Sequence, residues 1–343
     1  MGRGANWSQA TKQKVKMSHK EHFKVAIIGG GPAGIGVAVG LAKHGINSVV
    51  LIERRKQLGG TPLDYRKKAG SVPTFIEWTR ARMVFGEELA QRMIQRLTST
   101  NTNIKLCTHV TKVYPLEKKL SLLSPKGLQE ITADAVVLAA GAREQTSSEK
   151  GWLAGARTAR TGFTRHITSW LDRHNLLPTR KPLIVGSDLI AYSAAAKLRA
   201  AGSHEPVMIN QRQRPIANLF ERLFFRRWTS PNWKGGVAAI NLSGDSTMIN
   251  ANSEDKSNCD CSGDAIIFSG NLVPNTELAL MAGMEVESPS RRLKISHGQS
   301  LNTPGWFAAG NVLGGFHGAQ WCYFNGKRLA KKLKQYLTKN ATV

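Results

Sequence analysis

The sequence has few acidic residues, no CxxC cysteine pair and no long apolar run. Its 23 aspartates and glutamates stand against 48 lysines and arginines, which gives a formal net charge of +25. Such an excess favours anionic substrates, acidic proteins, nucleic acid or a membrane surface. No nucleic-acid-binding module is recognisable, so no specific nucleic-acid partner is predicted. Because no run of about 18 apolar residues exists, no membrane-spanning helix is predicted either.

The cysteines are Cys107, Cys259, Cys261 and Cys322, and they form neither a disulfide framework nor a zinc-ligand pattern. Cys259 and Cys261 are too close together for a common zinc half-site, and no second pair accompanies them. The sequence therefore predicts ordinary thiols in a reducing cytoplasm and no bound metal. The missing CxxC also excludes electron transfer through a redox-active dithiol.

Residues 1–22 are basic and polar and lack the apolar core of a secretory signal. We predict a disordered tail for this stretch, and either Met1 or Met17 fits as the true start. The predicted location is the cytoplasm, with peripheral contact at the inner face of the membrane as an open alternative.

A βαβ unit begins at Phe23 and carries the motif GGGPAG at residues 29–34. Gly29 permits a tight turn, Gly31 lets a diphosphate approach the backbone, and Gly34 lets helix and strand pack closely. The following strand ends at Glu53, where a carboxylate accepts the hydroxyl groups of an adenosine ribose. Because Glu53 would repel a 2′-phosphate, this site suits FAD or NAD rather than NADP.

Three later motifs favour FAD: the Gly59–Gly60 pair, ADAVVLAAGAR at residues 133–143 and TPGWFAAGNV at residues 303–312. With GGGPAG, they resemble the pyridine nucleotide-disulfide oxidoreductase superfamily over residues 23–340. The segments GAREQ, GARTARTGFT and GNLVPNTELALMAG look most similar to its branch without redox cysteines. That branch includes the opine oxidase A subunit and the hydrogen cyanide synthase B subunit.

This resemblance implies an α/β fold of two Rossmann-like, three-layer ββα dinucleotide-binding domains, the second inserted in the first. The implied boundaries are 23–150 and 264–343 for the FAD-binding domain and 151–263 for an NAD(P)-binding-like domain. The implied FAD-binding residues are Gly29, Gly31, Pro32, Ala33, Gly34, Glu53, Gly60, Thr61, Val110, Ala140, Gly141, Gly310, Asn311 and Ala319. The family usually has aspartate where this chain has Asn311, and an amide still hydrogen-bonds a ribityl hydroxyl. His317 is the candidate proton acceptor beside the flavin.

The second βαβ unit, KPLIVGSDLIAYSAAAKL at residues 181–198, departs from the nucleotide-binding pattern. Gly186 keeps the tight turn, but Asp188 replaces the glycine that admits the diphosphate. A carboxylate there obstructs the phosphates and repels their charge. Arg212 and Arg214 follow the next strand and suit the 2′-phosphate of NADP(H). A degenerate site and an NADP(H) site therefore both remain open.

Residues 214–228, RPIANLFERLFFRRW, have apolar residues at helical spacing among arginines. The alternatives are a helix packed into the second domain, or a basic amphipathic helix that contacts a membrane or a partner. Helical spacing, broken near Gly86, is also predicted for residues 74–98, and a polar loop for residues 243–263. Asp64, Tyr65 and Arg66 are candidates for the mouth of a substrate pocket.

The preferred function is an FAD-dependent dehydrogenase of an amine, amino acid or similar small metabolite. It would pass electrons through FAD to a second oxidoreductase subunit, to some other acceptor or to a quinone. One alternative is an NADPH-dependent reductase of a protein or small-molecule acceptor, and another is a non-catalytic, flavin-free interaction protein. The sequence names neither the substrate nor the oligomeric state.

Overall fold

The structure is a computed structural model that describes residues 21–67, 72–146, 148–149, 160–174, 176–210, 212, 214–235, 241–243, 249–252, 261–270, 272–296 and 299–340. The predicted tail lies outside the described residues as far as position 20, as do Met17 and Cys259. The first strand, β1 (Glu21–Ile28), includes the last two residues assigned to that tail.

The remaining elements follow in chain order. The strands are β2 (Val49–Ile52), β3 (Phe75–Glu77), β4 (Arg82–Val84), β5 (Asn103–Lys105), β6 (His109–Tyr114), β7 (Lys119–Ser124), β8 (Gly127–Leu138), β9 (Ala142–Glu144), β10 (Thr161–Phe163), β11 (Pro182–Val185), β12 (Val207–Ile209), β13 (Asn232–Lys234), β14 (Asn241–Ser243), β15 (Ile249–Asn252), β16 (Cys261–Gly263), β17 (Ala265–Phe268), β18 (Leu272–Pro274) and β19 (Trp306–Ala308). The α-helices are α1 (Pro32–Lys43), α2 (Gly86–Thr98), α3 (Thr164–His174), α4 (Leu189–Ala200), α5 (Leu219–Phe225), α6 (Glu277–Met281) and α7 (Ala319–Asn340). Short 3₁₀ helices cover Thr61–Asp64, Trp78–Arg80 and Gly310–Leu313.

The first domain is built on a parallel sheet with the order β5-β2-β1-β8, to which β19 adds beside β8. From Val25 onward β1 is an apolar run that is buried on both faces, and so is the whole of β2, as parallel strands under two layers require. One face packs against α1, α2 and α7. The other face carries the antiparallel strands β6 and β7, which continue from the first half of β8. These three layers confirm the predicted ββα arrangement.

The second domain has its own parallel sheet with the order β10-β17-β11-β12-β13. The helices α3, α4 and α5 flank one face, and β16 contributes to the apolar cluster on the other. The antiparallel pair β9 and β18 carries the chain out of the first domain and back into it. Since β17 pairs with both β10 and β11, the second sheet extends beyond position 263, where the sequence analysis ended this domain.

Two expectations about secondary structure were wrong. The stretch 74–98 is not helical throughout, because its first half forms the β3–β4 hairpin and only α2 is a helix. The stretch 243–263, expected to be a loop, contributes β15 and β16 to a three-stranded antiparallel sheet with β14. In both places strand pairing with a neighbour outweighs the local pattern.

Candidate functional site

The turn between β1 and α1 is shaped by glycines, and at Gly29 and Gly34 no larger residue fits. A side chain on Gly29, at φ +114°, would place its Cβ 2.4 Å from the carbonyl oxygen of Ala139. A Cβ on Gly34 would lie 1.9 Å from the carbonyl oxygen of Gly29. Gly31 is different, since its nearest neighbour in the Cβ direction is the Cα of Gly60, 3.8 Å away. A gap therefore opens beside Gly31. Gly60 bounds it on one side, so closely that a Cβ on Gly60 would lie 2.9 Å from the Gly31 Cα.

The N-terminus of α1 faces this gap without a side-chain cap. Gly31 is the N-cap residue and makes no side-chain hydrogen bond, and Pro32 and Ala33 form the first helical positions. The first N–H groups of a helix have no partner within it, and together with the helix dipole they attract phosphate. Gly60, at φ +62°, precedes the 3₁₀ helix that begins at the exposed Thr61. This cradle fits a diphosphate.

Glu53 lies at the end of β2, where the sequence analysis expects a ribose acceptor. Its side chain is buried, and Oε2 accepts a hydrogen bond from the Gly30 N–H at 2.7 Å. Oε1 accepts one from the Arg55 N–H at 2.8 Å. These bonds fix the carboxylate, and each oxygen keeps capacity for a hydroxyl donor. Thr108, which donates its N–H to the Glu53 carbonyl, brings the start of β6 and Val110 towards the same end.

Two later segments join the β1–α1 turn. Ala140 and Gly141 follow β8 directly above it, and Asn275 holds both of their carbonyl oxygens, at 2.8 and 3.0 Å. Gly310 adjoins α1 so closely that a Cβ on it would lie 2.6 Å from the Ala33 Cβ. The predicted glycine positions from four separate parts of the sequence are thus brought together around one helix terminus.

Asn311 makes hydrogen bonds within its own loop. Its Nδ2 donates to the His317 carbonyl at 3.0 Å, and its Oδ1 accepts from the His317 N–H at 2.8 Å and from the Cys322 thiol at 3.3 Å. An aspartate could not donate the first of these bonds, so the amide suits this loop closure. Contact between Asn311 and a ribityl chain stays a prediction. Ala319, which is also a predicted FAD-binding residue, is the first residue of α7 and is buried.

His317 is exposed just before α7, with its ring stacked on Trp321 at 3.7 Å between centroids. Partial burial of the ring lowers the pKa of His317 below its ordinary value. The imidazole is therefore neutral near pH 7, the form in which it accepts a proton. Burial also raises the pKa of Cys322 to about 12, which makes that thiol unreactive.

The β3–β4 hairpin touches the first turn of α7, a contact that the sequence analysis missed. The buried Gln320 accepts a hydrogen bond from the Thr79 N–H at 3.2 Å and donates to its hydroxyl at 2.8 Å. No periodic signal marks this hairpin, because its strands have only three residues each. A buried glutamine in an otherwise apolar segment is the one hint in the sequence.

A cleft of about 610 Å³ lies between the 3₁₀ helix Thr61–Asp64 and α3. Asp64 binds Arg55 at 3.0 Å and Arg165 at 2.6 Å, so this carboxylate links the two domains. Burial alone would raise the pKa of Asp64, but the hydrogen bonds and charges of both guanidinium groups lower it. Arg173 also lines this cleft, so that three arginines accompany one aspartate and the cleft is basic.

A second, smaller cleft lies beside this one. Two of the three residues predicted at a substrate mouth lie at the surface of these clefts. Asp64 and Arg66 line the smaller cleft, whereas Tyr65 is buried. Tyr65 packs edge-on against Phe75, and the Lys197 ammonium lies 4.9 Å from its ring centroid. Tyr65 therefore does not line the mouth, because it belongs to the packing between the domains.

The second βαβ turn keeps the glycine but fills the phosphate position. Gly186 adopts φ +130°, while Asp188 is the N-cap of α4. Its Oδ1 accepts from the Ala191 N–H at 2.9 Å and from the Ser269 hydroxyl at 2.6 Å. A carboxylate thus satisfies the helix terminus that a diphosphate would need.

The loop that carries Arg212 and Arg214 is fastened to the same turn. Ser187 is fully buried, and its hydroxyl accepts from Asn210 Nδ2 at 2.7 Å and from the Ile216 N–H at 3.0 Å. Both arginines are exposed on this loop. Their position leaves a 2′-phosphate contact open, although the diphosphate position between them and α4 is occupied by Asp188.

Within the described residues, no group of three or more histidine, cysteine, aspartate or glutamate side chains is arranged to hold a metal ion. The cysteines found there, Cys107, Cys261 and Cys322, are free thiols. No helix in the described residues has the length and apolar character needed to cross a membrane.

Comparison with known proteins identifies a family. The sequence model described as pyridine nucleotide-disulphide oxidoreductase matches residues 23–331. The soluble pyridine nucleotide transhydrogenase of Vibrio parahaemolyticus is 23% identical over 94% of this chain and 73% of its own length. The opine oxidase A subunit of Rhizobium meliloti is 26% identical over 54% of this chain and 38% of its own. The thioredoxin reductase of T. acidophilum superposes with a TM-score of 0.70 and 15% identity, over 94% of this chain and 100% of the other.

Proposed function

The chain belongs to the pyridine nucleotide-disulphide oxidoreductase family of FAD-dependent oxidoreductases, and from this premise we propose that it is a dehydrogenase component. In this proposal it oxidises an amine, amino acid or similar small metabolite and passes the electrons through FAD to a partner protein, a small-molecule acceptor or a quinone. Membership of the family argues against the flavin-free interaction protein.

The cradle beside Gly31 is the proposed seat of the FAD diphosphate. The uncapped α1 terminus supplies N–H donors, and Glu53 supplies the ribose acceptor. When bound there, FAD supplies two-electron redox chemistry to the protein. The other predicted contacts remain part of this proposal: Gly29, Pro32, Ala33, Gly34, Thr61, Val110, Ala140, Gly141, Gly310, Asn311 and Ala319.

The capped N-terminus of α4 favours an organic substrate over a pyridine nucleotide as the electron donor. The Asp188 carboxylate stands where the diphosphate of a pyridine nucleotide would need free N–H groups. Two like charges about 4 Å apart, at the dielectric of a protein surface, repel each other by about 4 kcal/mol before screening by salt. A carboxylate at this position would therefore repel a bound diphosphate. The chain also has no CxxC pair. An organic substrate is therefore the better source of electrons.

The basic cleft supports a substrate that carries a carboxylate. Arg55 and Arg165 are already paired with Asp64, which is the acidic residue among those that line the larger cleft and the smaller one beside it. The positive charges of Arg66 and Arg173 are therefore not offset within these clefts. A guanidinium group binds a carboxylate in bidentate geometry. Amino acids and their N-substituted derivatives fit this description, and the similarity to the opine oxidase A subunit agrees with it.

His317 is the proposed proton acceptor for this oxidation. Its ring is held by stacking on Trp321, its backbone is fixed by Asn311, and its lowered pKa keeps it neutral at pH 7. A neutral, solvent-exposed imidazole can take the proton that an amine substrate releases. A cytoplasmic location likewise stays a prediction.

The test is anaerobic mixing of the flavin-loaded protein with NADPH, NADH or a panel of amino acids and amines, followed at the flavin absorption band. We expect bleaching by a member of the panel and none by either coenzyme. Asp188→Gly removes the capping carboxylate and should allow slow bleaching by a coenzyme, whereas Asn218→Gly, which removes the N-cap of α5, should not.

The competing function is an NADPH-dependent reductase that uses Arg212 and Arg214. Rapid bleaching of the unmodified protein by NADPH would establish it, provided that the double change Arg212→Gln and Arg214→Gln weakens the reaction with NADPH more than that with NADH. That result would overturn the dehydrogenase proposal.

A further inference from the structure

The short helix α5 and the residues before it present an apolar surface to solvent, which we call the α5 surface. It consists of Ile216, Leu219, Phe220 and Leu223, with exposed fractions of 41%, 62%, 63% and 53%. The described part of the chain covers each of these side chains only in part. Single exposed apolar residues are ordinary on a folded protein, but four that lie within two helical turns form a patch that indicates a partner.

The opposite side of α5 holds the helix firmly in place. Phe225 is buried, and Phe224 and Trp228 pack against the apolar cluster of the second domain. Asn218 and Glu221 form a reciprocal capping box at the helix N-terminus. The apolar side chains of residues 214–228 are therefore divided between two environments. Phe224, Phe225 and Trp228 pack against the second domain, and the α5 surface faces solvent. Since the helix is already anchored, the α5 surface is not left over from incomplete packing.

Arginines surround the α5 surface. Arg212, Arg214, Arg226 and Arg227 are all exposed, two before the helix and two after it. The acidic residue in the same stretch is Glu221, whose carboxylate is used in the capping box. An apolar centre with a cationic margin is the arrangement of helices that lie in the interface of a membrane with anionic lipids.

We propose that the α5 surface attaches this protein to an anionic lipid bilayer. The four apolar side chains would enter the interfacial region of one leaflet, and the flanking arginines would contact lipid phosphates. This inference goes beyond the proposed function, which leaves the electron acceptor open, and it would hold the enzyme beside lipid-soluble acceptors.

A bilayer fits this surface better than a protein does. Specific protein interfaces use roughly 20 to 30 residues on each partner and are matched in shape. The α5 surface is small, with four exposed apolar side chains within eight positions of the chain, and a fluid interface accommodates it without a complementary pocket. Its flanking charges are also all positive, which suits a continuous anionic surface.

The experiment measures co-sedimentation of the flavin-loaded protein with vesicles of equal parts phosphatidylcholine and phosphatidylglycerol, and with vesicles of phosphatidylcholine alone. The test variant combines Leu219→Ser, Phe220→Ser and Leu223→Ser. The matched control combines Leu116→Ser, Leu123→Ser and Leu128→Ser, which are exposed leucines of the first domain with exposed fractions of 92%, 45% and 59%. A second variant combines Arg226→Gln and Arg227→Gln.

We expect binding to the anionic vesicles that falls at least about tenfold in the α5 variant and is unchanged in the control. The arginine variant should bind more weakly and lose part of the salt dependence. Flavin content and circular dichroism establish that each variant is folded. The proposal is overturned if the unmodified protein ignores anionic vesicles, if it binds both vesicle types equally, or if the α5 variant and the control lose binding to the same extent.

Discussion

Replacing Gly31 with alanine separates the proposed cofactor cradle from the scaffold around it. Gly31 has φ −80° and ψ −176°, a conformation that alanine adopts without strain. The added Cβ would have only the Gly60 Cα within reach, at 3.8 Å. The loss of folding stability should therefore be about 1 kcal/mol, the usual difference between glycine and alanine at a helix N-cap.

The same methyl group projects into the gap where the diphosphate is proposed to approach the backbone. It should push the phosphates away from the N–H groups of α1 and weaken their hydrogen bonds. We expect the dissociation constant for FAD to rise at least tenfold, which corresponds to about 1.4 kcal/mol. The prediction is thus a cofactor defect that exceeds the folding defect.

Two other glycine-to-alanine substitutions, at Gly34 and at Gly45, serve as controls for Gly31→Ala. A Cβ at Gly34 would lie 1.9 Å from a backbone oxygen, so Gly34→Ala should disrupt the turn and prevent folding altogether. Gly45, at φ +75°, closes α1 and has no atom within 4 Å of its Cβ position. Gly45→Ala should therefore lower stability by about 1 kcal/mol and leave FAD affinity unchanged.

The assay is titration of the flavin-depleted proteins with FAD, followed by flavin fluorescence, together with urea unfolding of the same samples. The assignment of the diphosphate to this cradle fails if Gly31→Ala binds FAD as tightly as the unmodified protein. It also fails if the Gly31 variant loses affinity only in proportion to its loss of folded material.

Two further predictions concern buried charge between and within the domains. Lys197 and Asp172 form an ion pair whose side chains are 1% and 3% exposed, whereas the Arg199–Glu205 pair is 46% and 37% exposed. Lys197→Met should therefore lower the free energy of unfolding by about 3–5 kcal/mol, and Arg199→Met by less than about 1 kcal/mol; equal losses in urea titrations would contradict this account. Burial raises the pKa of Glu144 from 4.5 to about 7, so the folded state keeps a proton that the unfolded chain releases, and stability falls as the pH rises through that window. Glu144→Gln should gain up to about 3 kcal/mol relative to the unmodified protein between pH 4.5 and 7, and a difference that does not change with pH would count against it.

Some of the site follows from the sequence because its pattern is local. In the first βαβ unit the apolar strand, the glycine turn, the helix of small residues and Glu53 follow one another along the chain. Their spacing reflects contacts between near neighbours, such as Gly34 with Gly29. The family and its ββα fold were identified from this unit together with three later motifs, and the comparisons confirm both.

Other features depend on partners that are distant in the sequence. The sequence suggests that Asp188 obstructs a diphosphate, but its bond to Ser269, 81 positions later, appears only when β17 joins the second sheet. The β3–β4 hairpin is fixed by Gln320, which lies 241 positions after Thr79. No periodicity within a short segment records such contacts.

The sequence by itself determined the α/β class, the glycine turn between β1 and α1 and the position of Glu53, because each of these arises from backbone geometry and spacing within about 30 residues. Only the tertiary structure decided that Tyr65 is buried and that the four side chains of the α5 surface face solvent, whereas Phe224, Phe225 and Trp228 pack against the second domain. Helical spacing shows that one face of a segment is apolar, but whether another element covers that face depends on how the whole chain packs.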